Sequence, residues 1–135
     1  MINCGRRHRI RYVCQKDRPA MTANNAFVHH VFFYLHDPAS LEDQTKLIAG
    51  LNTLAMISYF KLTHIGVPAD THRDVVERGY NVSWMVFFEN QSDQDIYQSD
   101  PIHLAFIEEN KHLWKKVVVY DSVNADWNMP SGPTK

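Results

Sequence analysis

Two strand-like segments of this chain, residues 27–36 and 80–89, carry apolar side chains on both of their faces. Successive residues of a β-strand point to opposite sides of the sheet, so each face is read from alternate positions. The faces of the first segment are Val28, His30, Phe32 and Tyr34 on one side and Phe27, Val31, Phe33 and Leu35 on the other. Those of the second are Val82, Trp84, Val86 and Phe88 against Met85 and Phe87. A sheet that contains these strands has to be covered on both sides.

The remaining elements are indicated by local patterns of apolar residues, caps and turns. Ser40 with Asp43 three residues later resembles a capping box, and leucines at helical spacing continue to about residue 55. We predict strands over residues 27–36, 57–67, 80–89 and 117–123, and helices over residues 40–55, near 92–98 and from Pro101 onward. The order is βαββαβ, which predicts an α+β domain with a four-stranded antiparallel sheet.

The helices of such a domain cover only one face of its sheet. The second apolar face would be too large a patch to leave open on a monomer. A second copy of the chain, placed sheet against sheet across a two-fold axis, would cover it and close a barrel. We therefore expect a homodimer.

The clearest helix start in the chain lies at Asp100 and Pro101. Aspartate is a favoured N-cap residue, and proline suits the first helical position because its missing N–H needs no partner there. His103 follows in the first turn, where the positive end of the helix dipole favours a neutral imidazole. Tyr97 lies just upstream. Beside a cavity, Tyr97 and His103 would be a plausible acid/base pair; the alternative is that both are ordinary packing residues.

Charge is distributed unevenly along the 135 residues, whose net charge is −1. Residues 1–20 contain six basic side chains and one acidic side chain, a balance of +5, which leaves −6 for the remainder. An acidic domain argues against nucleic acid or an anionic membrane as the main partner. The first residues lack the apolar run of a secretory signal, and we expect a cytoplasmic protein.

The chain divides into a basic leader over residues 1–22, a domain over residues 23–123 and a turn-rich tail over residues 124–135. Both cysteines, Cys4 and Cys14, lie in the leader and do not complete a zinc site with His8. Met21 suggests that the first 20 residues are upstream sequence included by a wrong start site. The alternative is a basic targeting or tethering tail.

Four motifs occur in one order along the domain: His30-Val31-Phe32-Phe33, Gly79-Tyr80, the helix start with Tyr97, Pro101 and His103, and the strand Val117 to Asp121. In this order they resemble the stress-responsive α/β-barrel domain family, Dabb. The resemblance implies a ferredoxin-like sheet in a dimeric α/β barrel, with a cavity between sheet and helices.

The resemblance extends to a polyketide cyclase branch, the olivetolic-acid-cyclase-like proteins, which close a ring by aldol condensation. It implies His103 as the base and Tyr97 as the hydrogen-bond donor to a carbonyl or enolate, with His30 as the cavity histidine of the first strand. Those cyclases have a histidine in strand three where this chain has Val82. The residues expected to contact a ligand are His30, Phe32, Trp84, Tyr97 and His103.

Three function classes fit these observations. The first is a dimer that binds a small apolar or aromatic molecule, the second a cofactor-free cyclase or lyase, and the third a haem- or quinol-handling monooxygenase-like barrel. The sequence has no Gly-rich phosphate loop, nucleophile elbow or zinc pattern, so we expect neither cofactor nor metal. Adjacent strand residues face opposite sides, so His29 and His30 are not expected to share an ion.

Overall fold

A four-stranded antiparallel sheet with helices against one face forms the domain. The computed structural model describes residues 26–125. The elements are β1 (Phe27–Leu35), α1 (Leu41–Leu54), β2 (Phe60–Gly66), β3 (Val82–Phe88), α2 (Gln91–Ser99), α3 (Pro101–Asn110), a 3₁₀ turn (Lys111–Leu113) and β4 (Trp114–Val123). The predicted leader over residues 1–22 lies outside the described residues, and so does the predicted tail from residue 126 onward. None of the described helices combines the length and apolar character needed to cross a membrane.

The strands lie in the order β2-β3-β1-β4, and every neighbouring pair is antiparallel. The two most apolar segments of the sequence, β1 and β3, are therefore the central strands. This arrangement confirms the predicted α+β class and the four-stranded sheet.

Three strands begin at residues other than those predicted, because pairing decides where a strand starts. β3 begins at Val82, which pairs with Phe33, rather than at residue 80. β2 begins at Phe60 rather than at residue 57, since a turn precedes it in which the Phe60 N–H donates to the Ile57 carbonyl. β4 begins at Trp114 rather than at residue 117, because Trp114 pairs with Leu35 across a register shift.

The core lies between the sheet and the helices. Alternate residues of β1 beginning with Phe27 are buried, and the α1 residues Leu47, Leu51 and Leu54 are fully enclosed against the same side of the sheet. Ser40 caps α1, since its hydroxyl accepts a hydrogen bond from the Asp43 N–H at 3.1 Å. This is the side on which a cavity can form between two layers.

The other face of the sheet is not covered by the described helices. Tyr80, from the connection before β3, packs edge-on against Phe32 with ring centroids 4.9 Å apart. Much of the rest is partly or fully accessible, and Tyr120 is 65% exposed. The residues of this face, called the open face below, are Val28, His30, Phe32, Tyr34, Leu62, His64, Gly66, Ser83, Met85, Phe87, Lys116, Val118, Tyr120 and Ser122.

Candidate functional site

A pocket of about 260 Å³ lies between the sheet and α3. Its walls are mainly apolar and come from β1, β3, β4 and α3: Val31, Phe33, Trp84, Phe106, Ile107, Trp114, Val117 and Val119. Its polar groups are His29, Tyr97, Gln98 and His103. An apolar cavity with a few convergent polar groups is typical of sites for small molecules.

The helix start at Asp100 determines how two of these polar groups are held. One Asp100 carboxylate oxygen accepts the Ile102 N–H at 2.8 Å, and the other accepts the Tyr59 hydroxyl at 2.6 Å. The hydrogen bond from Tyr59 lowers the pKa of Asp100, which keeps the cap ionised. This cap connects the last turn of α2, which carries Tyr97, to the first turn of α3, which carries His103.

The rings of Tyr97 and His103 stack, with centroids 4.0 Å apart and planes 28° from parallel. Tyr97 is 1% exposed, and burial raises the pKa of its phenol. The phenol therefore remains protonated at neutral pH and is a hydrogen-bond donor. The structure thus brings together the two residues that the helix-start motif singles out.

Burial also lowers the pKa of His103, and the nearby His29 lowers it further. The imidazole is accordingly neutral at pH 7, as predicted, although desolvation is the main cause rather than the helix dipole. Its Nδ1 atom is buried and has no hydrogen-bond partner within residues 26–125.

A second histidine, His29, faces this pocket from β1 and is 7% exposed. Its Nδ1 lies 2.6 Å from a carboxylate oxygen of Asp121 on β4, and the two residues are direct partners in the sheet. A carboxylate favours the tautomer in which Nδ1–H donates to it, which leaves Nε2 as the proton acceptor. The ring lies edge-on to Tyr97 at 5.8 Å.

The prediction that His30 and Phe32 line the cavity is wrong. Both lie on the open face, where their rings are 4.2 Å apart, because strand alternation places them opposite His29 and the helices cover the His29 side. Burial, followed by the charges of His64 and His29, lowers the pKa of His30.

Sequence reasoning missed His29 and Asp121 as members of the site. The alternation of side chains along β1 was the available signal, because it places His29 on the same face as Val31 and Phe33. Whether His29 or His30 enters the cavity then depends on which face the helices cover. The final VVVxD motif contains Asp121, but only the register between β1 and β4 pairs it with His29.

Trp84 lines the pocket. Val82, on the same face of β3, is completely buried and is not among the lining residues. Within residues 26–125 no group of three His, Cys, Asp or Glu side chains is arranged to hold a metal ion. The polar groups lining the pocket are therefore two imidazoles, one phenol and one amide, with the Asp121 carboxylate paired to His29.

Several solved structures share this fold. Hydroxynitrile lyase from Passiflora edulis is 22% identical, with a TM-score of 0.60, over 73% of this chain and 93% of the lyase. A Dabb family protein from Mesorhizobium loti is 22% identical, with a TM-score of 0.59, over 73% of this chain and 95% of that protein. A dimeric ferredoxin-like protein of unknown function from Thermobifida fusca is 16% identical, with a TM-score of 0.60, over 74% and 92%.

Among curated proteins, no sequence matches this chain significantly. The family model described as "Stress responsive A/B Barrel Domain" matches residues 27–124, from the start of β1 to the residue after β4. The match covers the whole sheet, its helices and the pocket between them. The chain therefore belongs to the Dabb family of stress responsive A/B barrel domains.

Proposed function

We propose that this protein binds a small, largely apolar carbonyl compound in the pocket and moves protons on it with its own side chains. The observation that carries the proposal is His29, which lines an apolar cavity together with Tyr97 and has a carboxylate oxygen of Asp121 2.6 Å from its Nδ1. A histidine oriented by a carboxylate is the usual arrangement of a general base. The Passiflora edulis lyase shows that this fold accommodates lyase chemistry.

In this proposal the His29 Nε2 removes a proton from the carbon next to the carbonyl, and Asp121 stabilises the resulting imidazolium. Tyr97 donates to the carbonyl oxygen as negative charge develops there. His103, neutral and stacked on Tyr97, fixes the orientation of the phenol. No lysine or arginine is among the described lining residues, which favours a neutral ligand over a phosphate or carboxylate.

Dimerisation is part of the proposal. The open face is rich in aromatic and aliphatic side chains and lies on the opposite side of the sheet from the pocket. Sheet-to-sheet packing of two copies would cover it without obstructing the pocket. The structural neighbour from Thermobifida fusca is a dimeric ferredoxin-like protein, which supports dimerisation.

The test uses acetophenone, a small aromatic ketone whose methyl protons exchange with D₂O when a base removes them. We expect the wild-type protein to accelerate this exchange, measured by ¹H NMR, and His29→Asn or Tyr97→Phe to reduce the acceleration roughly 10²-fold or more. His112→Asn is the matched control, because His112 is exposed and does not line the pocket. Acceleration that persists in both pocket variants would contradict the proposed roles.

A further inference from the structure

His30 occupies the middle of the open face. It lies on β1, one of the two central strands, and the open-face residues of that strand are Val28, His30, Phe32 and Tyr34. At the level of His30 the register places one row of side chains across the sheet: Tyr120 on β4, His30 on β1, Met85 on β3 and His64 on β2. The proposed reaction uses neither histidine of this row.

The surroundings of His30 favour a neutral imidazole. Its ring centroid lies 4.2 Å from that of Phe32. Burial is the main reason that the pKa of His30 is lowered, and the charges of His64 and His29 lower it further. Within residues 26–125 no ion pair involves His30 or His64. A proton on His30 therefore has no carboxylate to compensate its charge, and a proton on His64 adds a like charge to the same row.

The other charged or titratable side chains on this side of the sheet lie towards one end of it. A cavity there is lined by Phe32, Tyr34, Glu77, Tyr80, Lys116, Val118 and Tyr120. Lys116 lies over the ring of Tyr34, 4.9 Å from its centroid, and Glu77 accepts a backbone N–H of its own loop. Histidine is the side chain that ordinarily changes charge between pH 5 and 8, so His30 and His64 are the groups here that respond to mild acid.

Two-fold symmetry would bring His30 close to its own copy. When two sheets pack face to face, the two-fold axis lies in the plane of contact, and residues on the axis meet the same residues of the other copy. An axis through the middle of the open face passes close to His30 whatever its direction in that plane. The proposed dimer would therefore place two imidazoles close together and away from water.

We propose that His30 makes the dimer sensitive to pH, so that two copies associate while this imidazole is neutral and separate when acid protonates it. The inference rests on the dimerisation in the proposed function. In the contact, a protonated His30 would be a charge without a carboxylate partner beside the same charge of the second copy. The separated chains thus bind more protons than the dimer, and the dissociation constant rises as the pH falls. His64, in the same row, adds to this effect.

Sedimentation equilibrium of the full chain at pH 7.5 and at pH 5.0, at constant ionic strength, measures the dissociation constant. Each copy has to lose one proton from His30 to associate, so we expect the wild-type constant to rise roughly ten- to a hundredfold at the lower pH. His30→Phe has no titrating group and suits an apolar contact, so its constant should stay nearly the same. Far-UV circular dichroism at pH 5.0 checks that the chains compared are folded.

Two further variants identify the source of the effect. His64→Gln should reduce the rise of the dissociation constant, because it removes the second histidine of the row. His112→Gln should leave the rise unchanged, because His112 is exposed in the 3₁₀ turn and is not part of the sheet. Should His30→Phe not associate at pH 7.5, His30→Gln replaces it, and the same flat profile is expected.

A wild-type dimer as tight at pH 5.0 as at pH 7.5 would overturn the inference, and so would an undiminished rise in the His30 variants. Both outcomes leave the proposed dimer and its reaction intact. A wild-type chain that is monomeric at pH 7.5 would reject the dimer itself. An acid-sensitive wild-type dimer that becomes insensitive through His30→Phe supports the inference whether or not the chain accelerates acetophenone exchange.

Discussion

Burial of a neutral histidine makes the stability of this domain depend on pH. His103 has an ordinary pKa of 6.5 in the unfolded chain and a lower one when folded, chiefly because burial disfavours the imidazolium. Between these two values the unfolded chain binds more protons, so the free energy of unfolding falls as the pH decreases below 6.5. Well above pH 6.5 His103 is neutral in both the folded and the unfolded chain, so it adds no pH dependence to the free energy of unfolding.

Urea unfolding at pH 7.5 and at acidic pH measures this effect. We expect His103→Gln to show a smaller loss of stability between the two conditions than the wild-type protein, because the titrating group is gone. His112→Gln, at an exposed position, should lose as much stability as the wild type. Identical pH dependence in His103→Gln and the wild type would show that His103 is not the titrating group.

Among the individual residues, the sequence predicted only part of the candidate site. Tyr97 and His103 are tied to a helix start, which short-range rules locate, and their rings stack in the structure. The choice between His29 and His30 required knowing which face the helices cover. Both faces of β1 are apolar, so the sequence pattern does not distinguish them, and the pairing of His29 with Asp121 depends on long-range register.

At the scale of elements, Asp100 makes two hydrogen-bonded contacts at the start of α3. It caps the helix through Ile102 and accepts the Tyr59 hydroxyl from the turn before β2. We expect Asp100→Ala to lower the free energy of unfolding by about 1–2 kcal/mol, measured by urea unfolding, because the cap is lost. Acetophenone exchange should also fall, since the cap joins the helical turns that carry Tyr97 and His103.

Two substitutions serve as controls. Asp100→Asn retains a capping oxygen and should recover most of the stability. Ser40→Ala removes the cap of α1 at a residue that does not line the pocket, and it should cost about 1 kcal/mol without changing exchange. A normal stability and exchange rate in Asp100→Ala would contradict the proposed importance of this helix start.

The elements also differ in how well local sequence predicts them. The N-termini of α1 and α3 begin where Ser40 and Asp100 indicate, because capping is a contact between near neighbours. The starts of β2, β3 and β4 were misplaced, because a strand begins where its partner offers hydrogen bonds. The pairing of Trp114 with Leu35 joins segments that are distant in the chain.

At the scale of the molecule, the two faces of the sheet have different roles in the proposed assembly. The helix-covered face holds the pocket with His29, and the open face carries His30 in the adjacent strand position. A one-residue change of register would exchange them. If the proposed roles hold, substitutions on opposite faces should alter ligand binding and self-association independently.

Dimerisation through the open face predicts a selective effect of charge at Tyr120. This residue lies on the edge strand β4, is 65% exposed in the single chain and is paired with His30. We expect the wild-type protein to sediment at twice the chain mass of 15.7 kDa. In Tyr120→Glu the two-fold symmetry would bury two unpaired carboxylates, and the dissociation constant should rise by roughly a hundredfold or more.

Met56→Glu is the control, because Met56 is 81% exposed just after α1, away from the open face. It should leave the sedimentation coefficient unchanged. A wild-type monomer at micromolar concentration, or a Tyr120→Glu dimer as tight as the wild type, would rule out this face as the contact. A Tyr120→Glu monomer that still accelerates acetophenone exchange would show that each chain forms a complete pocket.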